Sequence, residues 1–162
     1  MRKRAEKIST GCILFTALLC TEAGLLVSGF LLRPRFFLLF FGLICLSLFF
    51  SWFYRERGLN GKRIPLFLGI LVLWLILCYL AQDSLKQNLL YFYDQAVNCF
   101  NRAYNAEIKT VESGSSQGIT LFLLALFFWM AAVQGILILR SKSMTGILAV
   151  VFPYTAVLFL FG

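Results

Sequence analysis

Histidine is absent from this 162-residue chain. Its absence removes the commonest general base, the usual imidazole metal ligand and the side chain that switches charge near neutral pH. The five cysteines, Cys12, Cys20, Cys45, Cys78 and Cys99, are odd in number and contain no Cys-x-x-Cys spacing. That argues against a disulfide framework or a zinc site, and four of them fall in apolar runs where a thiol serves as a small filler. Acidic residues are few, seven against fifteen basic ones. Phosphate-binding glycine loops, dinucleotide fingerprints and the zinc-protease, kinase and calcium-loop patterns are missing too. With Cys99 as the sole thiol outside the apolar runs and no base to activate it, no nucleophile–base set can be assembled. Asp94, Glu107 and Glu112 are spaced so that they do not share one helical face. No catalytic residue, metal ligand or cofactor site is expected within these residues.

Long apolar runs are what the chain does have. Sixty per cent of it is hydrophobic, with eighteen phenylalanines, and the excess is gathered into stretches long enough to cross a hydrocarbon core of about 30 Å. Five are readable: 12–32, 36–54, 64–81, 119–139 and 144–162. Arg33-Pro34-Arg35 makes a tight turn after the first, because the residue before a proline leaves the helical region. Gly58, Asn60 and Gly61 punctuate the link before the third, and Pro65 sits harmlessly in that span's first turn. Arg140–Ser143 reads as a short basic hairpin. The first run is too long for a typical signal-peptide core and lacks a clean cleavage site, so it reads as a retained anchor. The fold expected is all-α, a polytopic membrane bundle of about five transmembrane helices plus one extracytoplasmic amphipathic helix. The chain divides into a three-span part over 1–81, the polar stretch 82–118, and a two-span part over 119–162.

The net charge of +8 resembles that of a nucleic-acid-binding protein, but its distribution does not. Arg2, Lys3, Arg4 and Lys7, then Arg55, Arg57, Lys62 and Arg63, then Arg140 and Lys142 flank apolar runs. This is the positive-inside pattern rather than a groove-tracking basic face. The partner implied is the lipid bilayer, not nucleic acid. Alternate links carry ten basic residues on one side and five on the other. That puts the N-terminus in the cytoplasm, residues 82–118 outside, and the protein in the plasma (inner) membrane as a multi-pass chain.

Within 82–118, Leu85, Leu89, Phe92, Ala96, Phe100, Ala103, Tyr104 and Ile108 recur at helical spacing, with Asp94, Asn98, Asn101 and Asn105 largely on another face. The spacing predicts an amphipathic helix over about 83–110 that lies along the outer interface or caps the bundle. Residues 113–118, Ser-Gly-Ser-Ser-Gln-Gly, read as a flexible linker.

Glu22 is the sharpest feature. It lies ten residues past Cys12, roughly 15 Å into the first span at 1.5 Å per residue, and no other acidic residue falls inside a span. A carboxylate at that depth costs at least about 2.5 kcal/mol, so it must be protonated, paired or facing a wet cavity. Candidate partners follow from depth: Trp74 near the middle of the third span, Tyr154 and Thr155 in the fifth, and Gln134 in the fourth. Gln134 lies about 7–8 Å nearer the cytoplasmic side by helical rise. Pro153 is expected to kink the fifth span and free the Ala149 carbonyl.

The layout resembles the N-terminal membrane region of bacterial transglutaminase-like membrane proteins. The matching features are the basic start Arg2-Lys3-Arg4, the clustered spans, the outer stretch around Asn101-Arg102-Ala103-Tyr104-Asn105, the Ser/Gly linker and the short Arg140–Ser143 turn. The resemblance covers the whole chain and implies spans that precede an outward-facing papain-like domain. That family's Cys-His-Asp set has no counterpart here, so no catalytic residue carries over. Residues 157–162 stop inside an apolar run, which leads to the expectation that a further outward-facing domain follows. The function expected is therefore a non-catalytic membrane domain that anchors and orients such a module or docks an envelope partner. The alternative is a small transporter or channel component with Glu22 as its proton or ion site. A lipid-processing enzyme would need clustered polar groups at one interface, which the chain lacks.

Overall fold

A computed structural model describes residues 2–54, 63–111, 114–116, 118–141, 148, 151–153 and 155–156. Among these the chain is helical, with no strand. The helices are α1 (Arg2–Gly29), α2 (Phe36–Tyr54), α3 (Arg63–Leu80), α4 (Gln82–Tyr104) and α5 (Ile119–Gly135), the last running on into a π-helical turn at Ile136–Ser141. Among the described residues, three segments are long and apolar enough to cross a membrane: Gly11–Gly29, Phe36–Tyr54 and Ile119–Leu139. A fourth is counted if α3 and α4, which meet at 76°, form one broken span. Five spans are thus not established. The link over 55–62 and most of 142–162 lie outside the described residues, and the expected hairpin at Arg140 gives way to helix through Ser141.

α1, α2 and α5 pack together around a shared core that includes Phe15, Leu19, Leu39, Leu43, Phe127 and Ala131. α1 runs antiparallel to the other two. At one end a Cβ on Gly11 would touch Leu139. At the other, the Arg35 backbone N–H, just ahead of α2, donates to Thr120 Oγ1 in the first turn of α5 at 2.9 Å. Mid-bundle, the Thr16 and Ser47 hydroxyls join α1 to α2 at 2.8 Å. Tyr54 donates to the Ala132 carbonyl at 3.1 Å, and its ring lies against Gly135, where a Cβ would come within 2.7 Å of it. Ala132 is also an acceptor for the Ile136 N–H at the mouth of the π turn. A side chain that competes for a ladder carbonyl is a known cause of such departures.

The first span is shorter than its hydropathy suggests, because α1 ends at Gly29 rather than Leu32. Leu32 N–H reaches the Val27 carbonyl at 2.9 Å and Leu31 N–H the Ser28 carbonyl at 3.3 Å, the paired bonds of a Schellman cap. The cap requires a left-handed residue at position 31, and the chain supplies a leucine at φ 50°. For a side chain with a Cβ that conformation costs about 1–2 kcal/mol.

α4 ends at Tyr104, not near residue 110. Asn105 adopts the left-handed conformation at φ 52°, which asparagine tolerates better than most residues. The chain then turns back along α4. Asn101 pairs with Ile108 in both directions, donating from Nδ2 to its carbonyl at 2.8 Å and accepting its N–H at 3.1 Å. Asp94 accepts the Val111 N–H at 2.8 Å. Further on, a Cβ on Gly114 would lie within 2.3 Å of the Tyr91 backbone nitrogen, so only glycine fits. Gly118 lies beside Ser84 and Asn88. The described part of the Ser/Gly stretch therefore follows the helix surface.

Leu31→Gly is expected to stabilise the folded protein by about 1 kcal/mol, since it relieves the left-handed leucine and loses part of that gain to unfolded-chain entropy. Thermal unfolding in a fixed detergent measures this, and a lower melting temperature for the variant would contradict the cap.

Candidate functional site

Glu22 and Gln134 are each 1% exposed. Gln134 Nε2 donates to Glu22 Oε2, joining α1 to α5 inside the bundle. The helical-rise offset between them is closed by side-chain direction. Each Cα–Cβ bond leans toward the N-terminus of its own helix. The two helices are antiparallel, so the glutamate and the glutamine lean toward each other. Their remaining oxygens, Glu22 Oε1 and Gln134 Oε1, are buried with no donor in reach among the described residues. Chemically the pair is a cluster of acceptors served by one amide. It can take up one proton, or draw in a small cation, at the unserved oxygens.

Of the other polar candidates, Trp74 and Thr155 do not join this pair. Trp74 stacks on Phe128 with ring centroids 4.4 Å apart, and its buried indole N–H has no acceptor among the described residues, Glu22 included. Thr155 donates to the Phe152 carbonyl of its own helix at 2.9 Å. Tyr154 and Ala149 lie outside the described residues; Pro153 is helical and exposed, and the bend expected there depends on those undescribed neighbours.

A second cluster of polar groups, on α4, is structural as well. Asp94 and Asn101, expected on a solvated face, instead hold the returning chain. Cys99 is buried and donates from Sγ to the Gly29 carbonyl at 3.5 Å. Burial pushes its thiol up from the ordinary range, partly offset by the Arg102 charge, which disfavours the thiolate that a nucleophile needs. Asn88, also 1% exposed, donates to the Ser84 carbonyl at 2.6 Å. These residues carry no recognisable spacing signature. Their one cue in the sequence is the recurrence of Asp94, Asn101 and Asn105 along one side of the helix.

No group of three or more Cys, Asp or Glu residues that could hold a metal ion occurs among the described residues. Compared with known proteins, the chain matches no family model, no curated protein and no solved structure.

Gln134→Leu leaves the Glu22 carboxyl without its donor and should destabilise the fold by roughly 1–3 kcal/mol. Glu22→Gln keeps an acceptor for Gln134 and adds an amide donor, so it should match the wild type or exceed it. Parallel detergent melts of the two variants decide the point. Equal losses in both would mean that the link needs the carboxylate itself as well as the amide donor, so that an amide acceptor at position 22 does not replace it.

Proposed function

We propose that this chain is a non-catalytic multi-pass membrane domain that anchors and orients an extracytoplasmic module, or docks a partner in the cell envelope. The observation that carries the reading is the clasp formed by α4 and its returning chain. Phe92 of α4 packs on Phe30 and Phe122, with centroids 5.1 and 5.9 Å away. Cys99 ties α4 to the last residue of α1. The only substantial polar stretch is thus fastened across the ends of two apolar helices. A surface fixed in this way suits a domain whose task is to hold something in a set orientation. On the positive-inside count the clasp is extracytoplasmic and the N-terminus cytoplasmic. The resemblance to transglutaminase-like membrane proteins gives one identity for the oriented module.

A second reading has its own support. Among the described residues, Glu22 Oε1 and Gln134 Oε1 lack donors, which is what a proton or ion site in a small transporter component would present. The two readings diverge on Glu22→Gln. As an anchor, the variant keeps its membrane localisation and shows the same proteoliposome permeability as the wild type. A proton-coupled flux present in wild-type proteoliposomes and lost in the variant would replace the anchor reading with the transporter one.

A further inference from the structure

α4 has three sides, and two of them are accounted for. At about 100° per residue, Phe92 and Cys99 share the side that meets the ends of α1 and α5. Asp94 and Asn101 share the side that holds the returning chain. Between them, about 100° from each, runs a third side made by Leu89, Tyr93, Phe100 and Tyr104, all within about 60° of one another. Leu89, Tyr93 and Tyr104 are 53%, 47% and 52% exposed. Water is a poor solvent for a continuous row of this kind.

We propose that this row is a lipid-contact surface, seated at the headgroup level of the bilayer beside the bundle. Three observations point to lipid. α3 leaves Leu68, Val72, Leu75 and Ile76 exposed, so it presents apolar surface in the direction of the hydrocarbon on the membrane reading. α4 leaves α3 at 76°, and with α3 upright beside the bundle, as the membrane reading has it, a helix at that angle lies close to the membrane plane. The corner between them exposes Tyr79 and Leu80 at 70% and 75%, which carries the apolar surface from one helix into the other. The residue types agree, since tyrosine rings with a polar tip settle at the membrane interface. Lys86 is exposed on the same side, where its stem can lie along the apolar row while the ammonium reaches the headgroups. The row has little other positive charge, so apolar burial rather than attraction to anionic lipid supplies the binding.

The test uses the full chain in vesicles of zwitterionic phosphatidylcholine carrying a radiolabelled tracer lipid. Benzoylphenylalanine is placed at Leu89, Tyr93 or Tyr104, with Gln87 as the control. Gln87 is exposed but faces about 160° away from Leu89. On irradiation the three row positions should each take up several-fold more labelled lipid than position 87. Uptake no greater than at position 87, or crosslinks that run mainly to a second copy of the chain, would overturn the proposal. The three exposed positions guard against one substitution that fails to fold. The inference rests on the membrane reading and not on the anchor role. If carbonate releases the wild-type protein from membranes, the membrane reading itself falls. If the protein stays in the pellet and the row takes up no lipid, only this inference fails.

Discussion

An apolar bundle offers a polar side chain no solvent to fall back on, so each such group has to be matched inside the bundle. The Glu22–Gln134 contact is where that requirement bears hardest. It joins the first helix to a helix 112 residues away in sequence, and it does so from positions whose helical rise places them at different depths. Other polar links among the described residues of the bundle use a backbone group: Thr120 with the Arg35 N–H and Tyr54 with the Ala132 carbonyl. Thr16 and Ser47 form a further side-chain pair. Between apolar helices with interchangeable faces, such bonds select one arrangement from many of similar packing energy, even though each contributes only about 1 kcal/mol.

The α4 end is built on a different principle. There the chain uses polar side chains in place of a second helix. Asn101 meets Ile108 as a backbone strand would, and Asp94 captures one more N–H further along. Glycine at 114 then lets the chain come close to the helix. The described part of the segment is pinned at intervals although it has no regular structure of its own. It returns the chain to the start of α5 with its backbone groups partly satisfied.

Hydropathy made most of α1, α2 and α5 legible, because charge-free runs of that length are rarely found in a water-soluble core. It placed the bounds of the 36–54 and 119–139 runs where the structure has them and misplaced the end of α1. Phe30, Leu31 and Leu32 are as apolar as the residues before them, and nothing in a leucine announces a left-handed cap. The end of α4 was hidden for a related reason, since Ile108 keeps the helical spacing while lying beyond the helix. Asp94 and Asn101 look like a wet face in one dimension because their partners lie 17 and 7 residues away along the chain. Glu22 was recognisable as an anomaly from its depth alone. Gln134 was nameable as a candidate, yet helical rise kept it apart, since rise counts Cα positions and ignores the lean of the side chains.

The π-helical turn after Gly135 bears on how this stretch is read. Its bonds close over five residues instead of four, so each turn takes in more chain than the α-helix before it. The face that carries Gln134 and the face presented after Ile136 are therefore out of phase. A single helical stripe drawn through 119–141 would assign the last residues to the wrong side, and the segment is better treated as two helices of different pitch spliced at the glycine that receives Tyr54.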